Sequence, residues 1–175
     1  MPPASPQPPP RASEALLSFE RPRAIDTIVF GGLAAGLLDA LDAFAVSVLQ
    51  GRDPIQLLQY IASGALGPGA FSGGYGTAAI GTAFHFLIAF VTAAVYYEAS
   101  RLLPVLYKRP GVWGPVFGVA VYFFMNYVVL PFTAIPSSPF SLALLLNGVI
   151  GHAVLVGLPI ALFASNSAHQ RRKIL

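Results

Sequence analysis

The chain contains no cysteine. That absence excludes disulfides, thiolate metal sites, iron–sulfur clusters and cysteine nucleophiles, and it leaves the redox compartment unreadable. Charge is nearly as scarce: 10% of the 175 residues are Asp, Glu, Lys or Arg, whereas a soluble domain carries about 25%. A water-soluble globule is thereby excluded. A Walker loop, a Gly-x-Ser-x-Gly elbow, a His-Glu-x-x-His pair and a dinucleotide fingerprint are also missing, so the usual soluble catalytic signatures are absent. The formal net charge of +3 comes from Lys and Arg scattered in short flanks rather than gathered into a patch, so no nucleic-acid partner is expected.

What is present is apolar: 55% of residues, a mean hydropathy of +0.69, and 17 Gly with 16 Pro to break the runs. A spanning helix needs about 20 mainly apolar residues, because a rise of about 1.5 Å per residue must cover roughly 30 Å of hydrocarbon. The qualifying stretches are Thr27 to Leu49, Thr77 to Tyr97, Gly114 to Leu130 or Ile135, and Ser141 to Ala164. The expected fold is therefore all-α: a polytopic membrane protein whose transmembrane helices form an antiparallel four-helix bundle. Residues 25–164 would be the transmembrane domain, 1–24 a disordered Pro-rich tail and 165–175 a basic tail. The Pro-rich start and the carboxylates in the first run argue against a cleaved signal peptide. Ala12 to Glu20 has room for a helical turn or two at the surface.

Lys and Arg near spans stay on the cytoplasmic side. Arg11, Arg21, Arg23, Arg101, Lys108, Arg109, Arg171, Arg172 and Lys173 share one side of the expected layout, and Arg52 alone falls on the other. Both termini are thus expected in the cytoplasm, with Tyr96, Tyr97, Tyr107 and Trp113 near the inner boundary. On the outer side, Asp53-Pro54 starts a helix that leads into a Gly-rich run ending at Gly76, a short interfacial helix that is either a lid or a plain connector. Gly73-Gly74-Tyr75-Gly76 lacks the context of a channel filter.

Asp39 and Asp42 stand inside the first span. A carboxylate at mid-membrane costs about 2.5 to 3.5 kcal/mol, so the pair costs roughly 5 to 7. The span's eleven Leu, Ile, Val and Phe residues return about 0.3 to 0.6 kcal/mol each, which leaves insertion near break-even. The two carboxylates must therefore be protonated, paired or hydrated inside the bundle. Helical spacing agrees. Gly31, Ala35, Asp39 and Ala43 make one ridge, and Gly32, Gly36 and Ala40 the next, so the carboxylates share the small-residue face that lets helices approach. The second span repeats the arrangement around His85, the fourth puts Asn147 and His152 on one face, and the third supplies Asn126.

Counted from the outer ends, Asp42, His85, Asn126, Asn147 and His152 fall into a slab on the order of 10 Å thick at 1.5 Å per residue. No Lys or Arg lies within any of these stretches. This set admits proton or small-cation handling by Asp39, Asp42, His85 and His152, with Asn126 and Asn147 as partners. A metal ion held by the two Asp and two His is a second reading, and axial haem ligation by the His pair a third. Against these stands plain interhelical glue. A different class again is an accessory subunit that meets a homo-oligomer or a membrane complex through its Gly/Ala faces.

The first-span run Gly31-Gly32-Leu33-Ala34-Ala35-Gly36-Leu37-Leu38-Asp39 and the third-span run Met125-Asn126-Tyr127-Val128-Val129-Leu130-Pro131 resemble small bacterial inner-membrane proteins of the YagU-like kind, over roughly Ile25 to Ala164. The resemblance implies a bacterial inner (cytoplasmic) membrane location and a role in acid resistance. It supplies no catalytic residues to carry over, and no enzyme activity is expected.

Overall fold

A computed structural model describes residues 22–135 and 140–170. The Pro-rich start, the turn expected over Ala12 to Glu20, Pro136, and the flanking Arg11, Arg21, Arg171, Arg172 and Lys173 lie outside the described residues. Among the described residues every regular element is helical. The long helices are α1 (Ile25–Leu49), α3 (Gly74–Leu102), α5 (Pro110–Phe132) and α6 (Leu142–His169), each long and apolar enough to cross a membrane. The short ones are α2 (Pro54–Leu66) and α4 (Val105–Lys108). The chain is a multi-pass membrane protein. Its large outward side chains, among them Leu41, Leu87, Val95, Phe124 and Ile150, present an apolar surface of the kind that faces acyl chains.

Neighbouring long helices run antiparallel, as the sequence of contacts along each pair shows. Gly32 of α1 faces Phe90 and Ala93 of α3, while Gly36, one turn on, faces Phe86 and Ala89. Gly31 of α1 lies against Ile160 and Phe163 of α6. Between α5 and α6 the approach is closest: Gly118 meets the backbone of His152, and Gly114 meets the backbone of Gly157 and Leu158 beside the Ala161 methyl. The ridge Gly32-x-x-x-Gly36 is thus filled by the chain's own α3.

The end of the molecule where α1 begins and α6 ends, the terminal end, holds the core. Tyr96, Ile160, Ala161 and Ala164 are buried there with Leu106 and Tyr107 of α4, and Phe117 packs its ring edge-on to Tyr96 at 4.9 Å between centroids. Tyr96 donates its hydroxyl proton to the Leu106 carbonyl at 2.9 Å, which ties α4 to α3. The Arg23 N–H donates to Ser167 Oγ at 3.0 Å and fixes the start of α1 on α6.

At the opposite end, Asp53 caps α2 by accepting the Ile55 N–H at 2.8 Å, with Pro54 in the first turn, as its sequence signal predicts. The turns into and out of the following 3₁₀ segment use positive φ at Gly67 (67°) and Gly74 (56°), which side-chain-bearing residues rarely adopt. Thr77 Oγ1 donates to the Ala70 carbonyl at 2.6 Å and closes that turn. α2 then lies along α3, with Gly81 directly beneath the Leu58 carbonyl.

The helices outrun the expected limits. α1 begins at Ile25 and so takes in Asp26, which pairs with Arg23 at 3.4 Å. α6 continues past Ala164, because Ser165 and Ser167 are buried against the terminal end rather than solvated in a tail. Of the π-helical stretches Ile25–Gly31, Met125–Val129 and His152–Gly157, the last two each end two residues before a proline, Pro131 and Pro159. Proline cannot supply the N–H that an α-turn requires and its ring crowds the preceding turn, so widening there relieves both problems.

Candidate functional site

Toward the α2 end the long helices part around a cavity of about 420 Å³. α1 contributes Ala35, Gly36 and Asp39, α6 contributes His152 and Val156, and the facing walls come from α3 and α5. α2 covers its end with Tyr60, Ile61 and Gly64, joined by Thr133 and Ile135 from the segment after α5. That cover is tied down, since the Ala134 N–H donates to the Gly64 carbonyl at 3.2 Å and Ile135 sits within 3.4 Å of where a Gly64 Cβ would be. The lining is mostly apolar. Its Asp and His side chains are Asp39, His85 and His152, from three different helices.

Asp39 and His152 face each other, with Oδ1 and Nδ1 3.8 Å apart and both side chains about a quarter exposed. The geometry is that of an ion pair when the imidazole is protonated, and of a carboxyl beside a neutral imidazole when the proton sits on Asp39. His152 is held on its other flank by the ring of Tyr122, edge-on at 5.3 Å. Its backbone is fixed as well, because Gly118 lies against the His152 carbonyl. His85 donates Nε2–H to the Gly36 carbonyl at 2.8 Å, which leaves Nδ1 to carry or lack a second proton.

Asp42, one turn beyond Asp39, accepts a hydrogen bond from Asn147 Nδ2 at 2.9 Å and sits over Gly151, where a Cβ would come within 3.3 Å of Oδ2. This pair lies beside the cavity rather than in its lining. Of the residues expected in the cluster, the structure therefore brings together Asp39, His85 and His152 at one cavity and Asp42 with Asn147 next to it. It does not bring in Asn126. That amide donates to the Tyr122 carbonyl of its own helix at 2.9 Å, inside the wide turn that rotates the end of α5.

Sequence reasoning missed the cavity and the neutral groups around it, Tyr60, Thr92, Tyr122 and Thr133. Thr92 lies on the small-residue face of the second span, a signal that could have found it; Tyr60 and Thr133 reach the site only because α2 and the post-α5 segment fold over it. Arg52 is exposed just past α1. Among the described residues no three His, Asp or Glu side chains converge as a metal-ligand set. No protein-family model, curated protein or solved structure matches this chain.

Proposed function

We propose that the cavity cluster handles protons within the membrane, with Asp39 and His152 exchanging one proton between carboxylate and imidazole and His85 serving as a second acceptor. The observation that carries this reading is the 3.8 Å approach of Asp39 to His152 at the wall of an apolar cavity. Arg101, in the last turn of α3, is the sole Lys or Arg within the long helices, so the balancing charge for Asp39 must be imidazolium, a proton or a small cation. Asp42 and Asn147 hold the adjoining helices in register. A small monovalent cation is the alternative species at the same carboxylate. Both termini on the cytoplasmic side, a bacterial inner membrane and a part in acid stress belong to the same proposal, the first resting on flanking charge and the others on the YagU-like resemblance.

The test is a pH titration of the full chain in lipid nanodiscs, following the Asp39 carboxyl by infrared difference spectroscopy and the imidazoles by nitrogen NMR. Asp39→Asn is expected to move the His152 titration, and His152→Gln to move that of Asp39. Independent titration of the two groups would sink the proposal, as would sodium or potassium shifting the spectra where pH does not. An optical spectrum and metal analysis of the purified protein test the haem and metal readings. A reporter fused after Leu175 that is active only outside the cytoplasm would reverse the orientation.

One observation favours the accessory-subunit reading: α5 is the least buried of the long helices and carries the exposed aromatics Phe123, Phe124 and Tyr127. The Gly32 and Gly36 face is covered from within by α3 and is not open to such a partner.

A further inference from the structure

The cavity is reached from the side. Leu87 and Ile88 of α3 line it and are also 57% and 38% exposed on the outer surface of the helix, in the belt that faces acyl chains. α3 and α5 meet at Tyr96 and Phe117, toward the terminal end. Further along, their walls are parted by the cavity, with Val121, Met125 and Val129 on the α5 side. The aqueous end is covered by α2 and the Gly64–Ala134 hydrogen bond. A solute entering this space therefore comes from the hydrocarbon and not from water.

From this geometry we infer that the cavity binds a neutral, lipid-soluble molecule with a carbonyl head, the chemistry of a quinone, whose apolar tail leaves between α3 and α5. The volume of about 420 Å³ lies in the range of about 300 to 1,000 Å³ that holds small organic ligands. The polar groups at the wall set the kind of head. His152 keeps Nε2 for a further partner because Nδ1 faces Asp39, and His85 keeps Nδ1 because Nε2 is bonded to Gly36, so each ring, as imidazolium, has one N–H left to donate to a carbonyl. Thr92 and Tyr60 add hydroxyls to the lining. An anionic head, a fatty-acid carboxylate or a lipid phosphate, would meet the Asp39 carboxylate with no Lys or Arg in the lining to offset it. A neutral acceptor meets no such penalty. The inference deepens the proton-handling reading and rests on it, because the proton held by the Asp39–His152 pair is what lets the imidazole donate a hydrogen bond to the bound carbonyl.

The experiment titrates a decyl-tailed benzoquinone into the full chain in lipid nanodiscs by calorimetry, with protein-free discs subtracted to remove partitioning into lipid. Saturable binding at one molecule per chain is expected, weakened at least tenfold by Val129→Trp, which fills the cavity from α5, and at least threefold by His85→Gln. Should Val129→Trp fail to fold, His85→Gln together with Thr92→Val decides the location. Uptake equal to that of protein-free discs would overturn the inference, as would binding that neither wall nor His85 substitution alters. Stronger saturable binding of palmitate, or of tetraphenylphosphonium with loss in Asp39→Asn, would overturn the neutral head. Loss of quinone binding with the coupled Asp39–His152 titration intact refutes this inference and leaves proton handling standing; binding without that coupling does the reverse.

Discussion

The same four long helices are built differently at their two ends. At the terminal end Tyr96, Ile160 and Ala164 are wholly buried, α4 closes over them, and Gly114 and Gly157 bring two backbones into contact. At the α2 end the helices part, the ionisable side chains remain partly exposed to a cavity, and a short amphipathic helix supplies the cover that direct packing supplies elsewhere. Without a hydrophobic drive between helices in lipid, stability comes from close packing and internal hydrogen bonds. The terminal end therefore carries the stability, and the α2 end can keep a carboxylate that the membrane disfavours. Stability and chemistry are divided along the helix axis.

The sharpest way to break that comparison is Tyr96→Ala. Removing a buried aromatic ring at the junction of α3, α4 and α5 is expected to lower stability by about 3 to 5 kcal/mol, read as the midpoint of thermal unfolding in detergent. A loss below about 1 kcal/mol would mean that the anchor lies elsewhere. Next comes Gly157→Ala, whose Cβ would run into the Gly114 carbonyl and sit 2.8 Å from Gly118 Cα. The backbones must separate, at a cost of about 1 to 3 kcal/mol. Because Gly118 also bears on the His152 carbonyl, the same substitution is expected to disturb the Asp39–His152 coupling. That link would show the terminal packing acting as the floor of the site.

At the α2 end the expected sign changes. Val129→Trp places a large ring into existing space rather than into close-packed backbone, so stability should stay within about 1 kcal/mol of the parent. A cost as large as that of Gly157→Ala would show the two ends to be equally tight and remove the distinction between them.

Much of this division was written in the sequence. Apolar run lengths located the four spans, Asp53-Pro54 marked the start of α2, and the ridges around Gly31 and Gly32 showed which face of α1 meets other helices. Counting residues inward from the outer ends put Asp42 and Asn147 at similar depths, and they are hydrogen-bonded. Glu98 and Arg101, three residues apart near the end of α3, pair at 2.9 Å. Depth alone does not fix rotation, however. Asn126 has the right depth, but the wide turn before Pro131 governs its direction, and its amide folds back on Tyr122. By polarity Ser165 and Ser167 look like tail residues, and that α6 runs on through them with both buried is a tertiary fact. The cavity was illegible for the same reason: it arises from the parting of α3 and α5 and from α2 folding over the gap, neither of which has a local pattern.

The smallest expected effect distinguishes the two carboxylates themselves. Asp42 is bonded to Asn147 and lies outside the cavity lining, while Asp39 faces His152 across it. In Asp42→Asn the side-chain carbonyl can still accept the Asn147 hydrogen bond, and a mid-membrane charge is removed, so the stability change should be no more than about 0.6 kcal/mol, the average value of one interhelical hydrogen bond. The pH response of the His152 imidazole should persist in Asp42→Asn and be displaced in Asp39→Asn. If the substitutions act alike, the carboxylates form one electrostatic unit and the register-holding role assigned to Asp42 is wrong. If they differ as expected, the boundary between structural and chemical polarity in α1 falls within a single helical turn, between residues three apart in sequence.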